Sequence, residues 1–258
     1  MAVAIKVNDG TNTEVTTTSG TGNYGTININ EINTQDTITI NETEAPTGYN
    51  KLIGELTLNI TKGENASGTG YEAKTVSLTG TGSDKAEATL SGNKITLKVQ
   101  NQKKTGSYEL EIIKTDETGN LVTSGTAKFN VKVNDGSNTE VTTTSGVGSY
   151  GTININDINS ADTITIEETE SPEGYNKLTE NITIQVNKTE KESSLGVLSV
   201  NTTNENVITE YNNEENKITV KVQNQKKTGT YELEIVKTDE SENTITSGTA
   251  KFNVKVKI

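Results

Sequence analysis

The chain contains no cysteine, no histidine and no tryptophan, and its 23 basic residues are all lysine. Without Cys or His there is no disulfide, no thiolate nucleophile and no Ser-His or Cys-His dyad, nor any zinc, copper or haem site of the usual ligand types. Without Arg there is no planar fork for bidentate recognition of phosphate or base edges. Acidic residues number 35, for a formal net charge of −12, so nucleic acid and anionic membrane are poor partners. No apolar run approaches the roughly 18 residues of a membrane span, and no membrane insertion is expected. Met1-Ala2-Val3-Ala4-Ile5-Lys6 runs at once into a turn and Val256-Lys257-Ile258 carries no sorting tail, so neither a signal peptide nor a sortase signal is expected.

Apolar residues make up 29% and aromatics 4% of the chain, against roughly 45 to 50% apolar, counting Gly, in ordinary globular proteins. The core must be thin. So polar a composition invites disorder, yet Thr, Val and Ile recur in alternating runs, the period of strands with one buried face. The fold class is all-β.

An internal repeat organises the rest. Lys6-Val7-Asn8-Asp9-Gly10 returns 126 residues later as Lys132-Val133-Asn134-Asp135-Gly136, and Gly48-Tyr49-Asn50-Lys51-Leu52 returns as Gly174-Tyr175-Asn176-Lys177-Leu178. Val99 to Gly106 returns after 123 residues as Val222 to Gly229. The repeat is out of phase with the chain: residues 231–258 match 108–135, while the first unit has no counterpart of 108–127. The expected organisation is an incomplete sandwich (1–105) lacking its first strand, a complete one (106–228), and a C-terminal donor hairpin (229–258).

Residues two apart on a strand share a face. Tyr108, Leu110 and Ile112 lead on that spacing to Lys114; Ile164 and Ile166 lead to Glu168; Ile218, Val220 and Val222 lead to Asn224. The other copies repeat the pattern with Ile38, Ile40 and Glu42, with Ile95, Leu97, Val99 and Asn101, and with Leu233, Ile235 and Lys237. Three inward faces thus each end on a polar residue, which is costly unless the groups pair or become neutral. One reading is a buried Lys-Glu salt bridge with Asn hydrogen-bonded beside it. The other is chemistry. Burial lowers an amine's pKa and raises a carboxyl's, leaving a neutral nucleophile next to a proton shuttle that can polarise a carboxamide. Attack of the amine on the amide would expel ammonia and leave an isopeptide bond.

The strand Glu111-Ile112-Ile113-Lys114-Thr115-Asp116, the stretch Glu168-Thr169-Glu170-Ser171-Pro172-Glu173-Gly174-Tyr175 and the final Val220-Lys221-Val222-Gln223-Asn224 resemble the Cna-B or SpaA-like domains of Gram-positive pilins and adhesin stalks. The first unit repeats the second motif as Glu42-Thr43-Glu44-Ala45-Pro46-Thr47-Gly48-Tyr49. The resemblance implies an inverse-immunoglobulin, transthyretin-like sandwich, with Lys114 joined to Asn224 and Glu168 promoting the reaction.

In chain order these residues read Glu42, Asn101, Lys114, Glu168, Asn224, Lys237, and the middle three alone fall within one unit. A unit without its first strand exposes a sheet edge, which proteins seldom leave uncovered. Donor-strand complementation by the tail of a second copy would cover it, bringing Lys237 to Asn101 with Glu42 as catalyst. A head-to-tail contact that does not close makes a filament. The expected function is therefore a fibre subunit that is its own partner, needs no cofactor and is no enzyme toward external substrates. Its size and Lys-, Asn- and Thr-rich composition are similar to clostridial spore-appendage subunits, implying a spore-surface or extracellular location. The alternatives are a stalk fragment of a wall-anchored pilin or adhesin, cut out of phase, and a ligand-binding adhesin module.

Other motifs carry less. Gly20 to Gly25 and Gly146 to Gly151 match a dinucleotide fingerprint but precede strands rather than helices, and read as flexible hairpin loops. Asn8-Asp9-Gly10 and Asn134-Asp135-Gly136 are tight turns; calcium at Asp9, Asn12 and Glu14 is the weaker reading, and no metal is expected. The divergent stretches Ile53 to Lys94 and Thr179 to Lys217 read as surface loops and edge strands.

Overall fold

The structure is a computed structural model and describes residues 1–256; Lys257 and Ile258, the end of the expected donor segment, lie outside the described residues. The first domain contains β1 (Ala2–Val7), β2 (Thr13–Thr16), β3 (Asp36–Glu44), β4 (Leu56–Glu64), β5 (Tyr71–Thr79), β6 (Ala86–Ser91) and β7 (Lys94–Val99), with a 3-10 turn at Ser83–Lys85. The second contains β8 (Gly106–Asp116), β9 (Lys128–Val133), β10 (Thr139–Thr142), β11 (Val147–Ile155), β12 (Asp162–Glu170), β13 (Ile182–Glu190), β14 (Leu195–Thr202), β15 (Val207–Asn212) and β16 (Lys217–Asn224).

The period-2 pattern is realised in the second domain. Ile164 and Ile166 on β12, Ile182, Ile184 and Val186 on β13, and Ile218, Val220 and Val222 on β16 are all fully buried, while the intervening Thr and Lys side chains face outward. One sheet runs β10-β9-β12-β13-β14, the other β11-β8-β16-β15, with β8 and β16 parallel and the remaining neighbours antiparallel. The inner faces share a core built around Tyr108, Leu110, Ile112 and Phe129.

The first domain copies one of these sheets, β2-β1-β3-β4-β5, but its second sheet is reduced to the hairpin β6-β7. The counterpart of β11, residues 21–29, forms no strand. The cause is local. In the second domain β11 takes its hydrogen bonds from β8, and the first domain has no equivalent of β8 to satisfy them. The loss is felt on β7, where Ile95, Leu97 and Val99 are half-buried although the matching Ile218, Val220 and Val222 are fully buried.

The tail carries the missing side chains and leaves them in solvent. Tyr231, Leu233 and Ile235 are 83, 67 and 46% exposed, where their counterparts Tyr108, Leu110 and Ile112 are at most 1% exposed. No strand forms among the described residues after Asn224, so the expected donor hairpin is not folded on its own; an isolated bridge, Thr238 to Thr244, is all that remains of it. Its two halves also differ in what they could fill. Tyr231 to Asp239 corresponds to β8, which has no counterpart in the first domain, whereas Lys251 to Val256 matches β1, which is already paired between β2 and β3.

Two further expectations change. The glycine motif at 146–151 is a loop only at its start, where Gly146 adopts φ +83; Val147 to Gly151 belong to β11, with a bulge between Ser149 and Gly151. Within the divergent stretches, β4 and β13 are inner strands whose alternate residues form the core, while β5, β14 and β15, at the ends of their sheets, match the edge reading. Alternation with unlike residues keeps a strand's burial pattern while losing its sequence identity.

Candidate functional site

In the second domain each of β8, β12 and β16 carries its inward alternation one step past its last apolar residue. That step places Lys114, Glu168 and Asn224 inside, at 0, 2 and 1% exposure. The parallel ladder sets Val222 opposite Lys114 and Asn224 opposite Asp116, so Asn224 lies two positions further along the face that bears Lys114. Glu168 reaches the pair from the facing sheet.

Lys114 Nζ stands 3.8 Å from Glu168 Oε1, and donates a 2.6 Å hydrogen bond to the carbonyl of Val222. Asn224 Nδ2 donates to Glu168 Oε2 at 2.8 Å and to the carbonyl of Asn176. Because a carbonyl can only accept, Asn176 fixes which way the carboxamide points. The amide of Leu178 also donates to Glu168 Oε2, at 2.7 Å. Two buried oxygens remain without partners, Glu168 Oε1, which faces the amine, and Asn224 Oδ1.

This is a poor salt bridge. The separation is long, and the carboxylate oxygen nearer the amine is unsatisfied, which is expensive at this burial. Burial pulls the Lys114 amine down to about 8, against the opposing pull of Glu168. About a tenth of the amine is then neutral at pH 7, where an ordinary lysine has well under a thousandth. A neutral amine, a carboxylate oxygen open toward it and an oriented carboxamide on the other carboxylate oxygen are the components of an acyl transfer.

The first domain holds the same arrangement without its amine. Asn101 Nδ2 donates to Glu42 Oε2 at 2.7 Å and to the carbonyl of Asn50 at 3.0 Å, and Leu52 donates its amide to Glu42 Oε2 at 2.5 Å. Glu42 is 6% exposed and its Oε1 is unpartnered, like Oε1 of Glu168. Lys237 is exposed on the tail and contacts neither Glu42 nor Asn101 among the described residues. The structure therefore brings together Lys114, Glu168 and Asn224, and separately Glu42 and Asn101.

Sequence reasoning missed the backbone clamp, Asn50 and Leu52 in one copy and Asn176 and Leu178 in the other. Its signal was the repeated Gly-Tyr-Asn-Lys-Leu, which marks the repeat but not the clamp, because the work is done by main-chain groups. Also missed was the junction between domains. Lys104, 8% exposed, places Nζ 2.5 Å from Glu190 Oε1 and 3.1 Å from the carbonyl of Lys191.

A family model described as SpaA, prealbumin-like fold domain, matches residues 108–197. No curated protein matches the chain. Among solved structures, the chain is similar to the C-terminal fragment of the pilus adhesin SpaC from Lactobacillus rhamnosus GG, at 16% identity over 89% of this chain and 90% of that one, with a TM-score of 0.44. It is also similar to the major pilin from Streptococcus pyogenes, at 10% identity over 88% and 91% of the two chains, with a TM-score of 0.33.

Proposed function

We propose, with residues 108–197 a SpaA-type prealbumin-like domain, that the chain is a structural subunit of a covalently cross-linked fibre on the spore surface or outside the cell, joined head to tail. One observation carries this reading: the first domain has no counterpart of β8 and its Glu42–Asn101 pair has no lysine, while the exposed tail repeats the sequence of β8 with its lysine, Lys237.

In the second domain β8 lies between β11 and β16. By the repeat, Tyr231 to Asp239 of one subunit lies between residues 21–29 and β7 of the next. The register of β8 on β16 then sets Val99 opposite Lys237 and Asn101 opposite Asp239. Tyr231, Leu233 and Ile235 pass from solvent into the core, each worth roughly 1.5 to 3 kcal/mol. Lys251 to Val256 enters the same sandwich only by exchanging with β1.

Both sites run the same chemistry. The neutral Lys114 Nζ attacks Cγ of Asn224, the new Nζ–Cγ bond replaces the Cγ–Nδ2 bond, and ammonia leaves. Glu168 accepts one proton from Nζ on Oε1 and returns one to Nδ2 through Oε2, so it is a catalyst and not a reactant. Lys237, Asn101 and Glu42 take these parts across the subunit boundary. The residues consumed are the chain's own, which is why no external substrate is assigned.

The test is intact-mass spectrometry after boiling in denaturant, beside a denaturing gel. The fibre reading expects ladders, with one ammonia lost for the internal bond and one for each junction. Lys237→Ala should abolish the ladders and leave the internal loss intact; ladders persisting in that variant refute the intersubunit bond. A monomer that has lost a single ammonia supports the second reading, a stalk segment of a pilin or adhesin. The tight Lys104–Glu190 contact between consecutive domains favours that reading.

A further inference from the structure

Within the chain, the first domain hands over to the second through a built junction. The linker leaves the first domain pinned by its main chain: Asn50 donates to the carbonyl of Gln102, and Lys104 donates its amide to the carbonyl of Gly48, both at 2.8 Å. Beyond that point the linker belongs to the second domain. The Lys104 ammonium meets Glu190 at the end of β13, the Gly48 amide donates to Glu190 Oε2 at 3.4 Å, and Leu195 donates to the carbonyl of Thr105 at 3.0 Å. Gly106 follows so closely that a Cβ there would lie 2.0 Å from the Leu195 carbonyl oxygen. Lys104 holds the Glu190 carboxyl below its ordinary range, against the opposing effect of burial.

The same eight residues, Val222 to Gly229, leave the second domain in the same way. Asn176 donates to the carbonyl of Gln225 and Lys227 to the carbonyl of Gly174, both at 2.8 Å. Lys227 is thus set on its domain as Lys104 is on the first, but its side chain is exposed and makes no ion pair among the described residues. The counterpart of Glu190 in the first domain is Glu64, also at the end of its strand, exposed and free of any ion pair among the described residues. Opposite Glu64 on β5 sits Tyr71, as Leu195 sits opposite Glu190, and Tyr71 is 44% exposed.

We propose that the intersubunit junction is a second copy of the interdomain junction, with Lys227 of one subunit paired to Glu64 of the next. The Gly174 amide caps the same carboxylate, the Thr228 carbonyl accepts from the Tyr71 amide, and Gly229 supplies the close approach that Gly106 supplies inside the chain. The inference rests on the head-to-tail fibre reading and adds to it that every domain follows the previous one by a single repeated operation. The strand thereby arrives with its lysine already aimed at Glu42 and Asn101.

The experiment follows the rate of ladder growth on denaturing gels for the full chain and for three variants, Lys227→Glu, Glu64→Lys and the two together. Lys227 and Glu64 are exposed in the free subunit, so each variant should melt as the wild type does. Each single variant sets like charges at every junction and is expected to slow laddering about tenfold, with the double variant restored to within about twofold. Equal rates in all four proteins overturn the junction while leaving the fibre reading standing. Absence of ladders in the wild type overturns the fibre reading itself, and this inference with it.

Discussion

Replacing Glu168 by Gln removes the proposed proton shuttle at almost constant volume. The Gln oxygen still accepts from Asn224 Nδ2 and from the Leu178 amide, the contacts made by Oε2. Its amide group, however, faces Lys114 and takes no proton from it. The bond between positions 114 and 224 should not form, and a loop of 110 residues stays open. By the chain-entropy relation used for disulfides, that loses about 4 to 5 kcal/mol, or roughly 15 to 20 °C in Tm for a domain of this size. Lys114 also loses its carboxylate while remaining buried, which deepens the loss. Intact mass in denaturant reads the linkage and calorimetry reads the melt. Asn224→Ala, unlinked but with the carboxylate in place, isolates the loop term. Loss of one ammonia in Glu168→Gln, as in the wild type, would refute the shuttle. An unlinked Asn224→Ala chain melting within a few degrees of the wild type would refute the loop-closure account.

Asn224→Ala also leaves an amine that titrates, and its sign follows from the shift. The folded value, about 8, lies below the ordinary 10.5, so the unfolded chain binds the extra proton between them and stability rises with pH in that window. Denaturant titrations of Asn224→Ala should gain up to about 1.4 kcal/mol per pH unit there relative to the linked wild type, and show no such gain below pH 8; parallel profiles would contradict a depressed amine. Gly106→Ala forces a Cβ onto the Leu195 carbonyl, so limited proteolysis of the 100–106 linker should become faster. Unchanged cleavage would mean that the junction yields without cost. Asn101→Ala should block laddering without altering the internal ammonia loss, as read by the same mass assay; persistent ladders would assign the acceptor elsewhere.

Much of this protein is legible along the chain because strands report burial at a spacing of two. The inward step from Ile112 to Lys114, from Ile166 to Glu168 and from Val222 to Asn224 needs only that period, and the repeat shows which copy lacks which part. Main-chain roles are not legible in that way. Asn176 and Leu178 act through a carbonyl and an amide, so their side chains say nothing of the clamp. Nor does alternation reveal when a strand has no partner. Residues 21–29 keep the pattern of β11 yet form no strand, and Tyr231 to Asp239 keeps that of β8 yet stands in solvent. Fold class, repeat phase and the identity of the polar residues at the strand ends were therefore determined by the sequence alone, since each depends on local spacing. Which oxygen of Glu168 faces the amine, how the carboxamide is turned and how Lys104 locks one domain to the next were decided by tertiary structure, because each depends on groups from separate sheets or domains meeting within hydrogen-bond distance.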